Sequence, residues 1–153
     1  MKALVYEEYC KKTTEGAPDD DYKKILQVKE IDDPKPKPDE VVFKVKAAAL
    51  NYNDIWGMRG EPVPVPLPHV SGSDAAGDVI AVGDEVLNIK VGDRVVSHSN
   101  MSCRVCEACT GGREFDCAKR TIWGFQTGPN WGAFSEITHL PEVNIAKIPD
   151  SVS

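Results

Sequence analysis

With 153 residues, the chain is long enough to bury one core without disulfide staples. Its 18 Lys and Arg against 24 Asp and Glu give a formal net charge of −6, and no dense basic run occurs, which argues against nucleic acid or an anionic membrane as partner. No apolar stretch approaches transmembrane length, and residues 1–6 are too few and too mixed for a signal peptide, so a cytoplasmic protein with reduced thiols is expected.

In chain order, short strand-like segments prevail. Residues 1–6 form an apolar run and residues 25–31 carry alternating apolar positions. Residues 40–46 alternate most clearly, which puts Val41, Phe43 and Val45 on one face. Between the last two, Pro34, Pro36 and Pro38 remove three ladder donors, so residues 32–39 read as a surface connection. Residues 13–21 are polar and read as a loop. Residues 54–60 allow one helical turn, after which Pro62, Pro64, Pro66 and Pro68 impose an extended path. The small and β-branched residues 75–83 predict a buried strand, and residues 90–96 a turn leading into another. Residues 133–139 and 143–148 predict two more. Long helical periodicity is nearly absent, so the expected fold is mainly β, a barrel or sandwich with short helices. No Gly-x-Gly-x-x-Gly turn follows a strand, so a dinucleotide-binding half is not expected within these residues.

Of the five cysteines, Cys10 stands alone, and Cys103, Cys106, Cys109 and Cys117 crowd one segment. An odd total with tight clustering fits a metal site better than a disulfide framework. Two-residue gaps let the backbone wrap one ion, the longer last gap closes the shell, and Gly111 and Gly112 supply its bend. Four thiolates suit tetrahedral zinc, and a closed four-sulfur shell is structural rather than catalytic. Arg104, Lys119 and Arg120 are near enough in sequence to offset its negative charge. Free surface cysteines and an iron–sulfur cluster are the alternatives, the latter disfavoured by the lack of a Cys-Pro ending.

The Cys-x-x-Cys-x-x-Cys-x7-Cys run after Gly92-Asp93-Arg94-Val95 resembles the structural zinc lobe of zinc alcohol dehydrogenases. Upstream, residues 72–83 are similar to that family's segment around its catalytic-zinc histidine, and residues 47–54 to the segment carrying the first catalytic-zinc cysteine. The likeness runs in order along essentially the whole chain, to the medium-chain dehydrogenase/reductase superfamily. It implies a GroES-like barrel as catalytic domain over residues 1–153, with the zinc lobe at about 98–120. It also implies a nucleotide-binding Rossmann domain that these residues do not contain.

Two departures shape the functional expectation. Asn51 stands where the family has its catalytic cysteine, and Gly72-Ser73-Asp74 where it has Gly-His-Glu. An amide and a hydroxyl are poor zinc ligands beside thiolate and imidazole. Zinc-free branches of the superfamily reduce activated carbon–carbon double bonds, and Asn51-x-x-Asp54 resembles their Asn-Pro-x-Asp motif. Asn51-Tyr52-Asn53, Glu61-Pro62-Val63, Gly72-Ser73-Asp74 and Ile122-Trp123-Gly124-Phe125-Gln126 resemble, in order, the crotonyl-CoA reductase/carboxylase branch. There a Phe-Glu pair helps hold carbon dioxide, whereas here Gln126 follows Phe125, which favours reduction over carboxylation. Pro62 stands where enoyl reductases have a tyrosine, so no proton donor is identified.

The resemblance therefore implies an NAD(P)-dependent reductase acting on an enoyl-CoA or a quinone, NAD and NADP being undistinguished. Asn51, Asn53 and Asp74 are the catalytic candidates, Tyr52 the cofactor-facing residue, and Phe125 and Gln126 the substrate-cleft residues. Each has a plainer reading: Asn51 and Asp54 as helix caps, Asp74 as a turn residue, Glu61 as a solvated side chain, Phe125 and Trp123 as core. His69, His98 and His139 have no partner at metal spacing, although His69 and Asp74 are close in sequence. The expected partners are a small-molecule substrate, acyl-CoA among them, the nucleotide-binding domain and a second copy of the chain. Without that domain the chain is not expected to turn over. The alternatives are a zinc alcohol dehydrogenase, which would need a second metal, and a zinc-stapled binding module.

Overall fold

The computed structural model describes residues 1–10, 21–128 and 132–152. The expected polar loop at 13–21 falls outside them except for Asp21, which opens a helix. The described residues are mainly β, in two antiparallel sheets and a two-stranded ribbon.

Strand β1 (Lys2–Tyr6) pairs with β2 (Gln27–Glu30) and with β4 (His69–Val70). A short helix, α1 (Asp21–Ile25), precedes β2, so Ile25 is helical rather than the first residue of a strand. β3 (Glu40–Ala49) is the longest strand and lies between β5 (Asp74–Val82) and β9 (Ile137–Pro141) in the order β10-β6-β5-β3-β9, with β6 at Arg94–Ser97 and β10 at Ile145–Lys147. Register shifts in the β3–β5 ladder, between Val42 and Phe43 and between Val45 and Ala47, bend the sheet. The curled sheet meets the three-stranded one through the Ala3–Ser135 bridge and the Leu4 amide on the Phe134 carbonyl at 2.8 Å.

Inside the curl, Val41, Phe43, Ala75, Val79, Val95, Trp123 and Leu140 form the main core, with Val45 packed against it. The alternation of β3 thus points Val41, Phe43 and Val45 inward as their spacing requires. β5 is buried on one face only, because β3 and β6 pair its edges while its other side chains meet solvent. A second cluster, with Tyr6, Met58, Val65 and Phe125, lies beneath α2 (Tyr52–Arg59). Among the described residues no helix is long and apolar enough to cross a membrane.

Candidate functional site

The ribbon of β7 (Asn100–Met101) and β8 (Thr121–Ile122) closes the neck of a lobe that holds the four cysteines. Within the lobe a single helical turn, α3 (Glu107–Thr110), and a 3-10 turn at Glu114–Asp116 fold the chain back on itself. The sulfurs of Cys103, Cys106, Cys109 and Cys117 lie within 4.8 Å of one another. Cys106 and Cys109 are 3.4 Å apart and Cys103 and Cys109 3.9 Å, and none forms a disulfide. A tetrahedral zinc with bonds near 2.3 Å separates its sulfurs by about 3.8 Å, so the four thiols fit one ion. Among the described residues this is the one group of three or more Cys, His, Asp or Glu placed to hold a metal.

The lobe is prepared for anionic sulfur. The Val105 and Cys106 amides, with the Cys117 thiol, pull the Cys103 thiol down to about 6. At Cys109, burial works against ionisation, but the Ser102 hydroxyl and the Cys106 thiol more than offset it and hold the group below its ordinary value. Cys106 is opposite: the Cys109 amide favours its thiolate, yet the Cys109 and Cys103 sulfurs drive it up to about 11. Four sulfurs this close cannot all ionise without a cation between them. Of the expected charge partners, Arg104 donates instead to Asn144 Oδ1 at 2.8 Å, and Arg120 to the Phe115 carbonyl at 2.7 Å.

A second candidate site surrounds the start of α2. Asn51 is its N-cap: the side-chain oxygen accepts from the Asn53 amide at 3.2 Å, and the Asp54 carboxylate accepts from the Asn51 amide at 2.8 Å. This capping box satisfies helix donors that would otherwise be orphaned. Gly60, at φ 65°, ends the helix in the left-handed region, where its missing Cβ removes the steric penalty. Asp54 is buried, and its other oxygen accepts from the Gly72 amide at 3.0 Å, which ties α2 to the Gly72-Ser73-Asp74 segment. Burial pushes its carboxyl above the ordinary value, and the Asp74 charge adds to the rise, although the Asn51 and Gly72 amides oppose it.

Beside this helix start lies a largely apolar cleft of about 390 Å³, walled by Leu4, Leu26, Ile55, Met58 and Phe134, with Asn51, Tyr52, Asp54 and Ser71 at its polar positions. Tyr52 is mostly exposed and meets Trp56 edge-on, the centroids 5.2 Å apart. The remaining candidates do not line the cleft. Asn53 is half-buried in the first turn of α2, and Asp74 opens β5 opposite Ala49. Phe125 packs in the cluster with Met58, behind the cleft wall, and Gln126 turns its carboxamide onto the Ile122 amide at 3.0 Å. Glu61 is half-buried just past α2. Gly124 brings this loop onto Gly72: a Cβ there would overlap the Gly72 carbonyl, and φ is 71°.

The positions corresponding to a catalytic metal do not suit one. The Asn51 side-chain oxygen already caps α2, and Ser73 presents a buried hydroxyl with no hydrogen-bond partner. His69, the nearest imidazole in sequence, holds its ring between the Pro66 and Gly124 carbonyls, each at 3.2 Å. It is fully buried, and is a structural histidine rather than a ligand paired with Asp74. The sequence carries no mark of two ties: Asp54 to Gly72, and Arg104 to Asn144. Both join residues far apart in the chain.

Residues 37–150 match the family model described as the alcohol dehydrogenase GroES-like domain. The chain is 38% identical over 140 residues to the crotonyl-CoA carboxylase/reductase of Cereibacter sphaeroides, covering 88% of this chain and 31% of that protein. It is 33% identical over 134 residues to an alcohol dehydrogenase of Geobacillus stearothermophilus, covering 86% and 39%. Among solved structures, an NAD-dependent alcohol dehydrogenase superposes with a TM-score of 0.85 at 37% identity, over 100% of this chain and 41% of that one. The chain thus spans 31–41% of the length of these relatives.

Proposed function

The chain belongs to the alcohol dehydrogenase GroES-like domain family of medium-chain dehydrogenases/reductases, and on that footing we propose that it is the catalytic-domain portion of an NAD(P)-dependent reductase acting on an activated carbon–carbon double bond, with zinc held structurally in the four-cysteine lobe. The observation that carries this reading is the donor set beside the cleft. An amide oxygen committed to a helix cap and a buried hydroxyl stand where a metal-dependent alcohol dehydrogenase needs thiolate and imidazole. Reduction of an enoyl thioester takes up a hydride and a proton and generates no alkoxide, so it does not call for a Lewis acid at that place.

In this reading residues 1–153 are one domain, and a nucleotide-binding domain supplies most of the dinucleotide site. Asn51 and Tyr52 border the cleft where cofactor and substrate meet. Asn53 and Asp74, outside the cleft lining, act as positioning residues in the first turn of α2 and at the start of β5. Phe125 supports the wall through Met58, and Gln126 holds the turn that presents Phe125. The apolar walls suit an acyl chain of an enoyl-CoA.

The test uses the longer protein that carries this chain together with a nucleotide-binding domain. Metal is counted by elemental analysis, and two assays run in parallel: NAD(P)H oxidation with a short enoyl-CoA, and NAD(P) reduction with primary and secondary alcohols. One zinc per chain with enoyl reduction is the expected result. Two zincs per chain with alcohol oxidation would overturn the reading.

A further inference from the structure

One side chain ties the cysteine lobe to the barrel. Arg104 lies between the first two cysteines at φ 61° and, among the described residues, is the one non-glycine residue in the left-handed region. A Cβ makes that conformation unfavourable, so it persists only where the surroundings impose it. Glycine would make the same turn freely. Arginine must therefore supply something glycine lacks, and its contacts show what. The turn itself aims the Val105 and Cys106 amides at the Cys103 sulfur. The guanidinium Nη2 donates to Asn144 Oδ1 at 2.8 Å.

Asn144 is in turn fully engaged. It is 3% exposed, and its Nδ2 donates to the carbonyls of His98 and Asn100, both at 2.8 Å. Its own carbonyl accepts from the His98 amide at 2.8 Å. His98 and Asn100 flank the point where the lobe leaves β6, and Asn144 ends the 3-10 turn that leads directly into β10. β6 and β10 form the edge of the five-stranded sheet. A continuous run of hydrogen bonds thus leads from the first cysteine turn to that edge.

We propose that Arg104 is a positioning residue for the metal: it fixes the Cys103–Cys106 turn and, through Asn144, makes filling of the four-sulfur site and closure of the β6–β10 edge one coupled event. The proposal rests on the zinc reading of the lobe. By reciprocity, whatever factor zinc adds to the closure of the edge, an intact edge adds to zinc affinity.

The test is residue-resolved amide exchange on the zinc-loaded protein and after chelation, for the wild type, Arg104→Gly and Arg104→Met. Glycine removes the side chain and accepts the turn, whereas methionine keeps the stem and the strained φ but no donor. In the wild type, chelation should speed exchange of the His98 and Ile148 amides about tenfold or more, within the usual range of coupling between sites. In both variants the amides of residues 103–117 should still respond, but the two edge amides should change by less than about twofold. Chelator competition should show weaker zinc binding in Arg104→Met than in the wild type. A wild type without zinc would overturn the metal reading and this proposal together. A zinc-loaded wild type whose edge ignores chelation would overturn this proposal alone. So would coupling retained in Arg104→Met, because the backbone turn rather than the guanidinium would then carry it.

Discussion

The barrel and the cysteine lobe are held by different forces. In the barrel, Val41, Phe43, Val95, Trp123 and Leu140 are at most 1% exposed, and apolar burial accounts for its cohesion. Between residues 102 and 120 only Cys109 and Cys117 are buried, while Val105 and Phe115 are 81% and 62% exposed. The lobe has no apolar core to gain. Local backbone bonds, a two-pair ribbon and four sulfurs are what it has, and on the proposed zinc reading a metal would supply the remaining stability. On that reading one chain contains a part that folds by excluding water and a part that folds around an ion.

The sharpest way to break that contrast is to remove the ion. Structural zinc is worth about 10–16 kcal/mol to isolated finger peptides, so chelation or Cys103→Ser should abolish amide protection across residues 103–117. The burial of Trp123, followed by its fluorescence, should survive, because its core does not include the lobe. Collapse of both regions together would show that the two are one cooperative unit. The converse experiment acts on the barrel. Phe43→Ala should lower stability by about 3–5 kcal/mol, read as the denaturant midpoint, while each chain that remains folded keeps its zinc.

A smaller effect concerns the join between α2 and β5. Asp54→Ala leaves the Asn51 and Gly72 amides without their carboxylate and should cost about 2–3 kcal/mol. Asn51→Ser keeps a capping oxygen and should change stability by less than about 0.5 kcal/mol. If Asn51 also orients substrate, this variant loses turnover in the longer protein while folding normally. Unchanged turnover would leave Asn51 a cap and nothing more.

How legible these regions were follows from how local their determinants are. The lobe could be read because its ligands recur at fixed short spacing, and four sulfurs do gather as that spacing requires. β3 could be read because Val41, Phe43 and Val45 alternate in its first half. α2 exceeds one turn because the capping box Asn51-x-x-Asp54 starts it earlier than the apolar pattern does. Residues 25–31 divide between helix and strand because Ile25 joins the Tyr6 and Met58 cluster from α1, a tertiary preference that overrides the alternation. The strands β4, β7 and β8 have two residues each, too short for any period. The ties that organise the sites and the barrel join residues 18, 40 and 99 positions apart: Asp54 to Gly72, Arg104 to Asn144, and, between β3 and β9, Glu40 to His139. Such pairs leave no mark in a local window.

The smallest predicted effect separates the two regions by acid. His69 and His139 are both buried in the barrel, and burial holds each below the ordinary histidine value of 6.5, despite the Gly124 and Pro66 carbonyls at one and the Glu40 carboxylate at the other. A histidine that resists protonation when folded binds fewer protons in the native than in the unfolded state. Its contribution is therefore complete above pH 6.5 and is lost as pH falls below it. Glu40 slopes the same way at lower pH: burial opposes its charge, but Lys37 and His139 outweigh that and depress its carboxyl, so its contribution fades as pH falls below 4.5. Asp54, raised from 3.8 by burial, slopes oppositely and offsets part of the loss. Urea midpoints of the Cys103→Ser chain, in which metal release plays no part, should therefore fall between pH 8 and pH 5. His69→Gln keeps a side-chain donor for a facing carbonyl but cannot titrate, and should make that slope shallower. A slope equal in both chains would mean that His69 protonates as readily folded as unfolded, and the acid response would then come from the other shifted groups, His139 among them.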